Sequence, residues 1–177
     1  VTLADGSNLG GALTTPDVLT MHRSLAAIAA AGCGAAAIEA SSIGIEQGRL
    51  AGVRIQVAGF TNLTRDHLDY HGTPERYKAA KFALFEQSGL RSAVINADDP
   101  AGAELLSMGG GMTRIGYSIA RDAQAPFRAE DIQSGSEGLV FNLVSPQGSA
   151  QIFTHLVGQH NISNLLLVAG VLRELGW

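Results

Sequence analysis

Short apolar runs at residues 35–40, 54–61 and 92–96 are separated by stretches whose apolar side chains recur at helical spacing. Strands of a parallel sheet are buried on both faces, so they read as near-continuous apolar runs, and each needs a covering crossover helix before the next. The alternation predicts an α/β fold, a mostly parallel doubly wound sheet with flanking helices. From 127 to 156 the pattern changes to three β-rich runs, parted by Ser134, Gly135 and Ser136 and then by Ser145, Pro146, Gln147 and Gly148. Those turn residues predict a small antiparallel β meander.

Helix boundaries are legible from their caps. Thr15, Pro16 and Asp17 offer an N-cap, a proline at the first helical position and an acid in the first turn, and Val18, Met21, Leu25 and Ile28 follow at helical spacing until Gly32. A second helix is expected from Thr73, Pro74 and Glu75 to about Gln87, a smaller one after Asp99 and Pro100, and a last one over 161–175 that stops at Gly176. Residues 1–13 alternate around Asp5 and Gly6, which reads as a short β-hairpin. Internal repeats and low-complexity segments are not seen.

With 177 residues the chain suits a single domain with a real core. A net charge of −4 without any gathered Lys or Arg patch argues against nucleic acid or a membrane surface as partner, so an anionic small substrate would have to meet locally placed cations. The single cysteine, Cys33, cannot form an internal disulfide; in its Gly/Ala surroundings it reads as a small buried thiol, which fits a reducing cytoplasm. The apolar run 25–38 is too short for a membrane span and is broken by Gly32 and Gly34, so it reads as a buried helix followed by a buried strand. Neither a transmembrane segment nor a signal peptide is expected.

In an open parallel sheet, ligands gather beyond the carboxyl ends of the strands. Polar chemistry clusters there. Glu39 is the charged residue in a run of Ala and Ile, and its carboxylate calls for a cation, a metal or a backbone hydrogen bond. His67 and His71 stand four apart, the spacing of a metal-binding pair on one helix face, or else they satisfy a polar loop; Asp66 and Asp69 beside them make the setting oxygen-rich and closer to magnesium than to zinc. Lys81 falls between Tyr77 and Phe85 on the stripe of Leu84, so its amine is either partly desolvated and reactive or snorkels outward.

Together these segments resemble the MurE branch of the Mur ligase family along essentially the whole chain. The resemblance rests on TTP at 14–16, EASSIGIEQGR at 39–49, FTNLTRDHLDYHG at 60–72, YKAAK at 77–81, NADD at 96–99 and GQHNISN at 158–164. Position 43, His in many members, is Ile43 here and is given no role. The resemblance implies that Glu39 and His67 bind Mg2+ and that Lys81 is carbamylated by CO2, so that it supports a metal as a carboxylate-like group. It implies further that Thr14, Thr15, Ser41, Gln47 and Arg49 contact UDP-MurNAc-L-Ala-D-Glu, with Arg49 complementing its charge. Asn161 matches a family asparagine near the ATP adenine, and it could equally serve as a helix N-cap.

The implied reaction has two steps. The D-glutamate carboxylate takes the γ-phosphoryl group of ATP to give an acyl phosphate, and the amine of diaminopimelate, or of lysine, displaces phosphate to form the amide. The three residues Glu39, His67 and Lys81 are expected to meet at one sheet edge. A G-x-x-x-x-G-K-[ST] loop for the ATP phosphates does not occur in the sequence, so residues 1–177 are read as a central domain incomplete on its N-terminal side and inactive alone; separately, the protein is expected to be monomeric and cytoplasmic. Other classes stay open: a folylpolyglutamate-synthase-like amide ligase, a metal-dependent hydrolase built on His67, His71 and Asp69, and a noncatalytic nucleotide-sugar-binding module.

Overall fold

The computed structural model describes residues 13–64, 66–120 and 123–177, so the hairpin expected over 1–13 lies outside the described residues except for Leu13. The chain forms two compact units, Val1–Arg54 with Arg65–Gln87 and Ile55–Thr64 with Ser88–Trp177.

The second unit is built on a six-stranded sheet whose spatial order follows the sequence: β1 (Val57–Phe60), β2 (Ser92–Asn96), β3 (Thr113–Ser118), β4 (Phe127–Gly135), β5 (Gly138–Ser145) and β6 (Gly148–Thr154). The pairs from β1 to β4 are parallel, and β4, β5 and β6 run antiparallel. The expected meander is thus a continuation of the parallel sheet. Neighbouring residues of a strand point to opposite faces. Val94 packs on α6 (Gln159–Glu174), where a Cβ on Gly170 would come within 2.6 Å of its Cγ1, and Ile95 meets α5 (Pro100–Ser107) at Gly102. Helices therefore cover both faces, as the sequence predicts.

The core gathers on the α6 face, where Val94, Ile115, Tyr117, Phe127, Leu139, Phe141, Ile162 and Leu166 are buried together. Each such side chain contributes about 1.5–3 kcal/mol of transfer free energy. That burial stabilises α6, whose N-cap, Gly158, has no side chain to bond the first turn; its last carbonyls are closed by the amides of Leu175, Gly176 and Trp177. Burial pushes the Tyr117 phenol up to about 12, and its hydroxyl donates to the Phe60 carbonyl at 3.2 Å. Between Glu130 and Gln133 the β4–β5 register slips: Asp131 takes φ 54° and its carboxylate accepts a bond from Asn142 Nδ2 at 2.8 Å.

The strand β3 is absent from the sequence-based expectation. Only Ile115 and Tyr117 signal it, because Gly116, between them, has no side chain and sits against Leu106.

The first unit is helical among the described residues: α1 (Val18–Ala30), α2 (Ser42–Glu46), α3 (Leu68–His71) and α4 (Pro74–Phe82), the last continued by a 3-10 turn, Ala83–Glu86. Thr73 caps α4 by accepting from the Arg76 amide at 3.3 Å, with Pro74 in the first turn as expected.

Three expectations are corrected here. The α1 cap is Asp17, whose carboxylate takes the amides of Leu19 and Thr20, and Thr15 is drawn inward instead. Residues 35–40 form no strand; alanine methyls offer little area to bury and alanine has weak β-propensity, so an alanine run does not hold a ladder by itself. For the same reason α1 buries Met21 and Ser24 rather than a broad face, and Cys33 is half-buried.

Candidate functional site

Thr15 is the anchor of a hydrogen-bonded network in the first unit. Its side chain is fully buried, and its hydroxyl donates to the Glu39 carbonyl at 2.7 Å while accepting from the Ser41 amide at 2.9 Å. With the Thr15 proton committed, the Ser41 hydroxyl is the donor across the 3.0 Å separation of the two oxygens. Ser41 Oγ in turn accepts from the Gly44 amide at 3.1 Å, capping α2. Gly44 has to be glycine: an added Cβ would lie 2.7 Å from Thr15 Cβ.

Arg49 closes the network from the far end of the loop. Its Nη1 donates to the Thr15 carbonyl at 2.7 Å, and its Nε and Nη2 both donate to Gln47 Oε1, at 3.0 and 2.6 Å. Gln47 Nε2 donates to the Tyr70 hydroxyl at 3.1 Å. Of the five N–H donors of a guanidinium, three are committed here, which leaves two for an anion and holds the group in one orientation. Thr15, Ser41, Gln47 and Arg49 are thereby linked, and Thr14 is exposed beside them.

A second grouping surrounds Tyr77. Lys81 Nζ stands 5.3 Å from the Tyr77 ring centroid, a cation–π distance, and the His67 ring meets the same tyrosine edge-on at 6.2 Å. Burial, then the Asp66 carboxylate, pushes the Tyr77 phenol up. His67 is exposed, adopts a left-handed backbone (φ 52°) as the N-cap of α3 and stands 3.7 Å from Asp66 Oδ2. The two histidines are not a pair on one face, since His71 points inward, with Nε2 3.0 Å from Ser42 Oγ and Nδ1 2.9 Å from Glu46 Oε2. A hydrolase site made from His67, His71 and Asp69 is therefore not assembled. Glu39 is exposed and joins the first network through its backbone carbonyl.

Asn161 lies in the second unit, in the first turn of α6. It is not the N-cap, which is Gly158; its Nδ2 donates back to the Val157 carbonyl at 2.8 Å. The 96–99 segment braces the strand ends there. Asn96 Nδ2 donates to the Thr61 carbonyl at 2.7 Å, Asp98 accepts from Ser118 Oγ and the Ile119 amide, and Asp99 caps α5 while accepting from the Leu63 amide at 3.0 Å. Sequence reasoning gave no individual role to Asp98, Ser42, Glu46 or Tyr70, and it read Asp99 only as marking the start of a helix.

The donor set suits a hard cation on one condition. Carboxylate and imidazole groups at 39 and 67 can ligate magnesium, whereas a lysine ammonium repels it; only as a carbamate could Lys81 contribute an oxygen. Among the described residues, no group of three His, Cys, Asp or Glu is placed to hold a metal, so any shared site here would need that conversion. Among the same residues no helix is long and apolar enough to cross a membrane.

Residues 2–172 match the model of the Mur ligase middle domain. The UDP-N-acetylmuramoyl-L-alanyl-D-glutamate--2,6-diaminopimelate ligase of Janthinobacterium sp. (strain Marseille) is 46% identical over 170 residues, which cover 92% of this chain and 34% of that protein. The ligase of the same name from Pseudomonas aeruginosa is 42% identical over 172 residues, covering 97% of this chain and 35% of that protein. A solved structure of a ligase so named superposes with a TM-score of 0.83 at 37% identity, over 91% of this chain and 34% of that one. MurF from Acinetobacter baumannii shares the fold, with a TM-score of 0.61 at 22% identity over 71% of this chain and 27% of that one. The chain thus spans about a third of the length of the curated relatives it matches. Matched over nearly all of its residues, the chain belongs to the Mur ligase middle-domain family.

Proposed function

We propose that this chain is the central domain, 1–177, of an ATP-dependent ligase that joins diaminopimelate to the D-glutamate of UDP-MurNAc-L-Ala-D-Glu. The observation that carries the reading is the likeness, at 46% identity, to a diaminopimelate ligase acting on that nucleotide-sugar dipeptide. The linked Thr15, Ser41, Gln47 and Arg49 support it, because they form a preorganised polar cradle with uncommitted guanidinium donors for an anionic substrate. Thr15 shapes the loop through its hydroxyl, Ser41 and Gln47 set its turns, and Arg49 with exposed Thr14 faces the ligand.

Glu39, His67 and Lys81, the last as a carbamate formed from CO2, are the residues that would hold Mg2+. Bound there, the ion would offset repulsion between the substrate carboxylate and the ATP γ-phosphate. Lys81 Nζ lies 5.3 Å from the Tyr77 ring centroid, and Asn161 is assigned to the adenine side. The substrate carboxylate takes the γ-phosphoryl group, ADP leaves, and the incoming amine displaces phosphate from the acyl phosphate to give the amide. We place the protein in the cytoplasm as a monomer.

The test uses the full-length protein with ATP, Mg2+, UDP-MurNAc-L-Ala-D-Glu and either diaminopimelate or lysine, following the amide product by mass spectrometry. Product is expected with diaminopimelate, and Lys81→Ala should lower kcat about 100-fold, with partial recovery in added acetate. Absence of product with both amines, or full activity of Lys81→Ala, overturns the reading.

A further inference from the structure

We infer that His71, a residue outside the roles assigned above, is a positioning residue that fixes the substrate loop 41–49 against the segment carrying His67 and Lys81. The inference rests on the ligase reading. Its starting point is burial: the His71 side chain is 0% exposed, yet it is polar at both ring nitrogens. Nε2 lies 3.0 Å from Ser42 Oγ at the first residue of α2, and Nδ1 lies 2.9 Å from Glu46 Oε2 at the last. One imidazole therefore spans the whole of α2.

The helix α2 needs such a brace. It has five residues, and isolated helices shorter than about 12 residues do not hold their shape in water. Ser41 caps its start, and His71 reaches its two ends from a segment 25 to 29 positions away in sequence. The ring also packs edge-on against Tyr70 at 4.9 Å and tilted against Tyr77 at 5.4 Å. Tyr70 accepts the hydrogen bond of Gln47, and Tyr77 carries Lys81 over its face and His67 at its edge. His71 thus meets both ends of α2 together with Tyr70 and Tyr77.

The contact to Glu46 is close but out of line for a hydrogen bond, so Nδ1 lacks an aligned partner while it is fully buried. An unaligned buried nitrogen is unfavourable, and an apolar residue of similar size would avoid it. A polar ring at this position is consistent with a need to orient Ser42 and Glu46, which a phenyl ring would leave undirected.

The experiment is steady-state kinetics of the full-length protein with His71→Phe, His71→Gln and Ser42→Ala. His71→Phe should raise KM for the nucleotide-sugar dipeptide about tenfold while KM for ATP stays within about twofold. A merely structural loss would lower kcat through the active fraction and leave both KM values alone. His71→Gln, whose amide reaches Ser42, should recover most of the loss, and Ser42→Ala should raise the same KM without adding to His71→Phe in the double variant. Should His71→Phe fail to fold, Ser42→Ala against wild type and His71→Gln carries the test. An active wild type whose His71 and Ser42 variants keep the substrate KM overturns this inference alone; an inactive wild type overturns the ligase reading and this inference with it.

Discussion

The two units of the chain are held together by different chemistry. In the second, buried positions are filled by Val94, Ile95, Leu105, Phe127, Phe141, Ile162 and Leu166, and the polar exceptions, Ser92 and Ser118, are small. In the first, Thr15, Ser24, Ser42 and His71 are buried beside Met21, Leu50, Tyr77 and Phe82. Apolar burial is non-directional and tolerates small shifts, whereas hydrogen bonds fail when geometry does. A sheet core gives stability; a polar interior holds donors and acceptors at set positions, as a binding site requires.

Leu166→Ala should give the largest effect, about 4 kcal/mol of lost stability in urea unfolding, because it empties a fully enclosed site against the sheet. Thr15→Val tests the other side. It keeps the shape of a fully buried residue but strands the Glu39 carbonyl and the Ser41 amide, and should cost about 2 kcal/mol with faster amide exchange at Ser41. If the valine variant proves as stable as wild type, the contrast between polar and apolar interiors fails; if it matches Leu166→Ala, the polar network is as strong as the apolar core.

The smallest effect concerns Asp17, which is exposed. The hydroxyl and then the amide of Thr20, followed by the Leu19 amide, hold its carboxyl below the usual value of 3.8. A depressed folded-state value means that its stabilisation of α1 is complete above that pH and is lost as pH falls through the lowered folded value. Asp17→Ala should therefore quicken amide exchange in the first turn of α1 at pH 6, with the difference vanishing in acid.

Much of the second unit was readable in advance. Strands β1 and β2 and the three strands of the meander follow from local pattern, because burial on a sheet imposes periodicity, and the helix after Asp99 and Pro100 and the Gly176 stop follow from their boundary residues. Strand β3 escaped, since Gly116 and Arg114 dilute its two apolar residues. The first unit was less legible. Its alanine run mimicked a strand, and Thr15 looked like a helix cap when its partners were Glu39 and Ser41. Motif resemblance named Ser41, Gln47, Arg49, His67 and Lys81, but not the bonds joining them. His71 was visible only as half of a spacing, because its partners Ser42 and Glu46 sit in a distant segment and no local rule encodes such a pairing.

The close approach of positions 15 and 44 leaves almost no room for sequence drift. The nearest obstructing atom is Thr15 Cβ, which cannot swing away, with Thr15 Cγ2 at 2.8 Å and Ser41 Oγ at 3.0 Å beside it. Trading threonine for serine would keep the hydroxyl and remove Cγ2 but leave Cβ in the way, and glycine at 15 would clear both carbons at the loss of the hydroxyl while Ser41 Oγ stays 3.0 Å away. Position 44 is therefore bound to glycine for as long as 15 carries a side chain, whereas 15 can become serine without disturbing 44.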